Sequence, residues 1–146
     1  MTHLSRRPLD AASIASQVES ASRGAVVSFA GLVRDHHGGR VVVRLEYSAY
    51  EPMAEAECAR IIAEAEARWP VAVALRHRLG ELAIGETAVA VAAAAAHRGD
   101  AFEACRHVIE EVKRRVPIWK REHYADGSVA WVDPTASAGV QPATSP

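Results

Sequence analysis

The stretch GDAFEACRHVIEEVKRRVPIWKREHY, residues 99–124, decides the fold because it passes from a helical pattern into a strand pattern. Apolar side chains recur every three or four positions, which predicts a helix over Gly99–Val116 with one buried face. Pro117 ends that helix, since proline lacks the backbone donor that a helix needs. The segments IWKREHY and SVAWV then predict a hairpin around Asp126-Gly127.

Two further strand patterns lie upstream of this stretch. In GAVVSFAGLVR, residues 24–34, apolar side chains point to both faces, which is typical of a central strand buried on both sides. The segment VVVRLEYSAY alternates strictly and predicts a half-buried antiparallel strand after a Gly-rich turn. Its predicted inward side chains are Val41, Val43, Leu45 and Tyr47.

Helix and strand patterns alternate along the rest of the chain. Helices are predicted over Leu9–Ser20 and Glu51–Arg68, and Pro52 in the first turn supports the start of the second. Strands are predicted over Val71–Leu79 and Thr87–Ala96. The resulting order, α-β-β-α-β-β-α-β-β, indicates an α+β sandwich of mostly antiparallel strands with packed helices.

Length and composition predict one ordered domain. The 146 residues fit a single domain, predicted over 1–134. The last segment, TASAGVQPATSP at 135–146, is small and polar and contains proline. Such a segment buries too little apolar surface to fold, so a disordered C-terminal tail is predicted.

The charge balance and the cysteines narrow the function classes. A formal net charge of -1 gives no reason to expect a nucleic acid or an anionic membrane as a partner. No apolar run approaches the roughly 20 residues of a membrane span, and MTHLSRRPLD lacks the apolar core of a secretory signal. Cys58 and Cys105 are predicted to be buried free thiols, which suits the reducing cytoplasm.

Cationic side chains lie at the ends of the predicted elements. Arg34 ends the first strand pattern, and His97-Arg98 lies between a strand and the N-terminus of the longest helix. Free backbone N–H groups and the helix dipole attract anions there, and an added arginine favours a phosphate or carboxylate site. A solvated arginine beside a helix-capping histidine remains the alternative from position alone.

Two lysines lie within residues 99–124. Lys113 lies at the border of the apolar helix stripe, so its ammonium either enters a partly buried pocket or extends to solvent at the helix end. Trp119 and Lys120 face opposite sides of their strand, so one side chain packs while the other is free to point into a cleft.

The remaining polar residues are interpreted as structural. His36-His37 has no further ligand near it in sequence, so no metal site is predicted. His77 is interpreted as a core histidine, and Arg76 and Arg78 as a solvated strand face. The helix carboxylates are interpreted as solubilising surface groups: Glu55, Glu57, Glu64 and Glu66.

Five segments in order carry a family resemblance: SFAGLVRDHH, LEYSAYEPMAE, HRLGELAIGE, AAHRGDAFEACRHVIEEVKRRVPIWKRE and GSVAWV. Together they resemble the large, catalytic subunit of molybdopterin synthase, over roughly residues 24–133. The most specific part is A-H-R followed by A-F and then K-x-x-x-P-x-W-K. The resemblance implies an α/β-hammerhead type of α+β fold.

The resemblance also implies a function, a cytoplasmic sulfurtransferase of molybdenum cofactor biosynthesis. Such an enzyme transfers sulfur from the C-terminal thiocarboxylate of a small ubiquitin-like carrier, ending in Gly-Gly, to cyclic pyranopterin monophosphate. The product carries the dithiolene of molybdopterin. The implied assembly is a homodimer with one carrier on each protomer, a heterotetramer. No permanently bound cofactor is implied, because the carrier supplies the sulfur.

Site residues are carried over by the same resemblance. Lys113 is expected to meet the thiocarboxylate, and Lys120 to act as a proton donor or acceptor or as a second electrostatic contact. The expected substrate-binding residues are Leu32, Val33, Arg34, His97, Arg98, Lys113, Lys120, Arg121 and Glu122. The resemblance implies that the pair at 97–98 reaches the site from the partner protomer. Some relatives have lysine where this chain has Leu32.

Two other functions fit part of this pattern. A non-catalytic docking module for a ubiquitin-like carrier needs the carrier surface but not the lysine pair. A phosphate-ester hydrolase needs the cationic pocket, but the sequence offers it neither a nucleophile nor a set of metal ligands.

Overall fold

The computed structural model describes residues 1–132, so the tail predicted over 135–146 lies outside the described residues. The helices are α1 (Ala11–Ser16), α2 (Glu51–Arg68) and α3 (Arg98–Arg115). The strands are β1 (Leu4–Ser5), β2 (Ala25–Leu32), β3 (His36–His37), β4 (Arg40–Ala49), β5 (Val71–Arg78), β6 (Gly80–Ala83), β7 (Thr87–Ala95), β8 (Ile118–Tyr124) and β9 (Val129–Val132).

The first sheet has the strand order β1-β5-β7-β2. β7 pairs antiparallel with both β5 and β2, whereas β1 joins β5 in parallel. β7 is buried on both faces, with Val89 and Val91 in the main core and Ala90, Ala92 and Ala94 packed with α1. The small alanine side chains let α1 approach the sheet closely. The strand predicted over Thr87–Ala96 is confirmed as β7.

The second sheet has the strand order β3-β4-β8-β9, and β6 pairs with β4. The predicted hairpin of β8 and β9 is confirmed. β3 and β4 are joined by Gly38 and Gly39, whose φ angles are 58° and 77°. Positive φ at both central residues is what a type I′ turn requires, so the two glycines permit a tight hairpin.

The two long helices confirm the helical periodicity. α2 has the predicted bounds and buries Ala54, Cys58, Ile61 and Ala65. α3 begins and ends one residue before its predicted bounds. Both helices share one core with the inner faces of the two sheets. Within residues 1–132, no helix has the length and apolar character needed to cross a membrane.

The carboxylates of α2 make specific contacts, so the prediction that they only solubilise the surface is wrong. Arg115 of α3 donates to Glu57 Oε1 at 2.5 Å and to Glu64 Oε1 at 2.7 Å, which joins the two helices. Glu55 and Glu66 accept backbone N–H groups of β1 and β5 at 2.9 and 3.0 Å. These contacts fix the helix against its neighbours.

β2 lies at the edge of the first sheet in the described part of the chain, and the prediction of a central strand is wrong. Val26 and Phe29, on opposite faces, are 39% and 38% exposed. Phe102 of α3, part of the predicted buried stripe, is 60% exposed. The apolar pattern of β2 therefore marks an exposed apolar surface and not burial on both faces.

A bulge changes which side chains of β4 point inward. The β4–β8 register skips one residue between Val42 and Arg44, so Val43 is the extra residue. Before the bulge the alternation reverses, and Val42 is buried while Val41 is 59% exposed. The predicted inward positions of Val41 and Val43 are therefore wrong, whereas Leu45 beyond the bulge is buried as predicted.

β5 carries two buried polar residues at its end. His77 Nδ1 lies 2.8 Å from the Arg78 carbonyl oxygen, and the ring meets Tyr47 edge-on at 5.0 Å. Burial lowers the pKa of His77 to about 4, so the predicted core histidine is confirmed and stays neutral. Arg78 is buried and donates to Glu86 Oε1 at 2.9 Å, so its predicted solvated position is wrong.

The first helix is shorter than the predicted span Leu9–Ser20. Asp10 caps its N-terminus, because its carboxylate accepts the Ala12 N–H at 3.1 Å. The helix ends at Ser16. One buried side chain of the helix, Ile14, anchors it on the alanine face of β7.

Candidate functional site

A cavity of about 150 Å³ lies between the two sheets, beside the end of β2 and the last turn of α3. Segments far apart in sequence converge on it. Its lining residues are Gly31, Leu32, Arg34, His36, Leu45, Tyr47, Ala88, Val89, Lys113, Lys120 and Glu122. Three of the predicted cationic residues therefore reach the same small space.

The cations at this cavity are Arg34 after β2, Lys113 in the last turn of α3, and Lys120 in β8. Burial lowers the pKa of Lys113, and the charges of Lys120 and Arg34 lower it further. Burial also lowers the pKa of Lys120, although the carboxylate of Glu122 opposes the shift. Three positive groups facing one another repel, and a bound anion relieves that repulsion. The cavity therefore suits a phosphate or carboxylate.

Glu122 is the buried carboxylate of the site, with 3% of its side chain exposed. Its Oε1 accepts from His37 Nδ1 and from the Tyr124 hydroxyl, both at 2.7 Å. Its Oε2 lies 3.6 Å from Lys120 Nζ. Burial opposes ionisation, but these three partners together hold the pKa of Glu122 below its ordinary value. The group is therefore a carboxylate at neutral pH.

Two predicted binding residues at the end of β2, Leu32 and Val33, have different surroundings. Leu32 lines the cavity and is 55% exposed. The Val33 side chain is buried in the core, and its backbone N–H donates to the Glu86 carbonyl oxygen at 2.9 Å. Val33 therefore anchors the chain next to Arg34, and its own backbone polar groups are already bonded.

His97 and Arg98 line a separate groove of the chain, together with Gly24 and Ala25. Both residues are exposed, and His97 is the N-cap residue of α3. Within one protomer the structure does not bring this pair to the cavity of Lys113.

Arg121 lies on the outer face of β8. Its neighbours in the strand, Lys120 and Glu122, line the cavity, whereas Arg121 stacks over the Trp131 ring at 5.4 Å. Its Nη1 lies 3.7 Å from Glu46 Oε1. The side chain therefore points away from the cavity, because successive residues of a strand face opposite sides.

Comparison with known proteins decides the family. The MoaE protein family matches residues 4–115. A molybdopterin synthase catalytic subunit from Nostoc sp. is 43% identical over 127 residues, covering 86% of this chain and 77% of the relative. The chain belongs to the MoaE family of molybdopterin synthase catalytic subunits. The resemblance found in the sequence is confirmed.

Solved structures of this family confirm the predicted α+β fold. Molybdopterin synthase from Staphylococcus aureus matches with a TM-score of 0.84 and 37% identity, covering 89% of this chain and 95% of that one. A complex of subunits 1 and 2 of molybdopterin-converting factor from Helicobacter pylori matches with a TM-score of 0.73, over 96% of this chain and 92% of that one. At 21% identity the second match shows the fold alone.

Several residues around the cavity were not predicted from sequence as site residues, among them His36, His37 and Tyr124. His36 lines the cavity, and His37 and Tyr124 bond the carboxylate of Glu122. The alternation of β8 already places Tyr124 on the face of Lys120 and Glu122. Within residues 1–132 no three potential ligand side chains of His, Cys, Asp or Glu lie close enough to hold a metal ion.

Proposed function

We propose that this chain transfers sulfur from the C-terminal thiocarboxylate of a small ubiquitin-like carrier to cyclic pyranopterin monophosphate, forming the dithiolene of molybdopterin. The observation that carries the proposal is the convergence of Arg34, Lys113 and Lys120 on one cavity with the buried carboxylate of Glu122. Both the phosphate of the substrate and the carrier tail are anions, and the cavity offers cations to both.

Each cation has a distinct role in the proposal. Arg34 binds the phosphate, because a guanidinium presents paired donors to phosphate oxygens. Lys113 meets the thiocarboxylate and offsets the negative charge that develops as sulfur is transferred. Lys120 gives or takes a proton, or makes a second electrostatic contact, and burial lowers its pKa, which eases release of the proton. The carrier supplies the sulfur, so the reaction needs no resident cofactor.

Assembly is the second part of the proposal. The chain forms a homodimer, and each protomer binds one carrier ending in Gly-Gly. A groove between β2 and α3, lined by Val27, Phe29, Phe102 and Ile109, supplies an exposed apolar surface for the dimer. The H. pylori structure with the same fold is a complex of subunits 1 and 2, and the proposed assembly of this chain with a second subunit follows the same pattern. The cytoplasm suits the two buried free thiols of this chain.

The direct test of sulfur transfer is conversion of the pyranopterin with a thiocarboxylated carrier in vitro. The expected result is a dithiolene product, with two sulfur atoms drawn from two carrier molecules. A carrier with an ordinary C-terminal carboxylate is the matched control and should give no product. Tight carrier binding without any conversion would instead identify the chain as a non-catalytic docking module.

A separate experiment tests whether residues from two protomers form one site. In the proposed dimer, His97 and Arg98 of one protomer complete the cavity that holds Arg34 of the other. Arg34→Ala and Arg98→Ala should each inactivate the homodimer. A mixed dimer of the two variants regains one intact site, so equal mixing with subunit exchange should restore about a quarter of the wild-type activity. No recovery, with mixed dimers shown by mass spectrometry, would contradict the shared site, because Arg34 and Arg98 of different protomers would then not complete one cavity.

A further inference from the structure

The two oxygens of Glu122 have different partners. Oε1 is held by His37 and Tyr124, whereas Oε2 faces Lys120 and the cavity. Two donors on one oxygen fix the rotation of the carboxylate, so the direction of the other oxygen is fixed as well. The position of the Lys120 ammonium therefore depends on contacts made behind the carboxylate.

His37 makes its contact from a rigid support. It is the last residue of β3, directly before the Gly38-Gly39 turn, and it pairs with Arg40 across the hairpin. A carboxylate only accepts hydrogen bonds, so Nδ1 of His37 carries the proton and donates to Glu122. His37 is not among the residues that line the cavity. Its contact with Glu122 is therefore made from outside the space where substrate binds.

Tyr124 is also held in place. The Arg40 guanidinium lies over its ring at 3.6 Å, and the hydroxyl donates to Glu122 Oε1. Burial and the neighbouring carboxylate raise the pKa of Tyr124 to about 12, so the hydroxyl keeps its proton. Both donors to Glu122 thus come from side chains that the β3–β4 hairpin anchors.

We propose that His37 is a positioning residue, which acts through Glu122 to hold the ammonium of Lys120 at the cavity. The inference rests on the sulfur transfer proposed above, in which Lys120 exchanges a proton or stabilises charge. Without the His37 donor, Glu122 keeps one partner on Oε1, rotates more freely and binds a proton more readily. Lys120 then loses both its fixed counter-ion and its fixed direction.

Two substitutions of His37 distinguish a positioning role from a general structural role. His37→Ala removes the donor, whereas His37→Asn keeps an N–H group close to the position of Nδ1. Full chains are assayed with thiocarboxylated carrier and pyranopterin. His37→Ala should lower kcat on the order of 10- to 100-fold with KM for the pterin unchanged, the effect of one lost donor to a buried charge. His37→Asn should recover most of that loss.

A second readout does not depend on turnover. Titrations by ¹³C NMR of the Glu122 carboxyl and by ¹⁵N NMR of Lys120 Nζ follow the two groups directly. His37→Ala should raise the pKa of Glu122 and shift the titration of Lys120, and His37→Asn should leave both near the wild-type values. Unchanged titrations in His37→Ala would overturn the inference whatever the activity.

Failure of the positioning role and failure of the proposed function give different results. If the wild-type chain converts substrate and His37→Ala does so equally well, the positioning role is wrong while the proposed function stands. If the wild-type chain converts nothing, the proposed function fails, and the titrations alone decide whether His37 controls Lys120. A fall in kcat that His37→Asn does not recover also contradicts the role, because it points to lost packing instead of a lost donor.

Discussion

Lys120 Nζ lies 3.6 Å from Glu122 Oε2, and the two side chains share one face of β8 because they are two residues apart. The carboxylate balances one of the three cations at the cavity, those of Arg34, Lys113 and Lys120. Two positive charges remain for the phosphate and the carrier tail. The charge at the site therefore matches the anions that the proposed reaction brings together.

Lys113→Ala should abolish most of the sulfur transfer while carrier binding stays largely intact. Loss of one group that stabilises developing charge lowers a rate by roughly 100- to 1000-fold. Single-turnover conversion measures the rate, and calorimetry measures the carrier affinity. The neighbouring Arg114→Ala is the matched control, because that side chain is 72% exposed and lies outside the cavity. Near-normal turnover in Lys113→Ala would remove Lys113 from the mechanism.

Replacing both cysteines by alanine should reduce stability and leave the chemical step unchanged. Burial raises the pKa of Cys58 to about 12 and that of Cys105 to about 11, so both are unreactive thiols at neutral pH. Each truncation in the core costs about 1 kcal/mol of unfolding free energy. Urea unfolding and turnover per folded molecule are measured together, and a folded but inactive double variant contradicts the scheme.

Arg115→Met should lower the free energy of unfolding by about 1–2 kcal/mol, because Arg115 bridges Glu57 and Glu64 of α2 with 24% of its side chain exposed. Arg114→Met is the control, since it removes one exposed contact to Glu111 and should change stability by less than about 0.5 kcal/mol. Equal urea midpoints for the two variants would show that the contacts of Arg115 with Glu57 and Glu64 contribute nothing to stability.

The stabilisation from the contact between Arg115 and Glu57 should depend on pH. The hydrogen bonds of Arg115 hold the pKa of Glu57 below its ordinary value of 4.5. A lowered folded-state pKa means that the stabilisation is present above pH 4.5 and is lost as the pH falls through the lower folded value. The difference between Arg115→Met and the wild type should therefore shrink in acid, which urea unfolding at several pH values measures.

His77 should make the protein less stable in mild acid. Its pKa is about 4 in the fold against an ordinary 6.5, so the unfolded chain binds the proton first. The contribution of neutral His77 to the free energy of unfolding is complete above pH 6.5. It is lost as the pH falls toward 4, where the loss reaches about 3 kcal/mol. His77→Leu should flatten the dependence of unfolding free energy on pH between 6.5 and about 5. A slope equal to that of the wild type would contradict this.

The helices were the most predictable part of the fold. α2 and α3 repeat apolar residues every three to four positions over 18 residues each, and proline lies at the start of one and directly after the other. Such long periodic segments need no tertiary information. β1 was not predicted, because two residues carry too little pattern, and its position depends on pairing with β5 and on Glu55, which accepts the Leu4 N–H.

The strands were less predictable, since apolar residues on both faces have two possible causes. In β7 both faces are buried by helices, and the prediction is confirmed. In β2 the same pattern leaves Val26 and Phe29 exposed. Which case applies depends on neighbouring elements that the sequence of the strand does not specify. The bulge at Val43 likewise depends on the pairing of β4 with β8.

The convergence of three cations was expected from the sequence, whereas the contacts that hold Glu122 were not. The structure brings Arg34, Lys113 and Lys120 to one cavity, as the family resemblance implied. The contact of His37 with Glu122 joins residues 85 positions apart, and no local pattern indicates it. Whether His97 meets the same cavity depends on a second protomer, so that part stays a proposal.

The open edge of β2 bears on how the cell handles a newly made subunit. Within residues 1–132 its outer backbone groups have no strand beside them, and phenylalanine and valine side chains flank them. Such an edge is a template for aggregation between copies. In the proposed homodimer, a subunit that has not yet paired is thus the species that exposes this edge to chaperones and proteases.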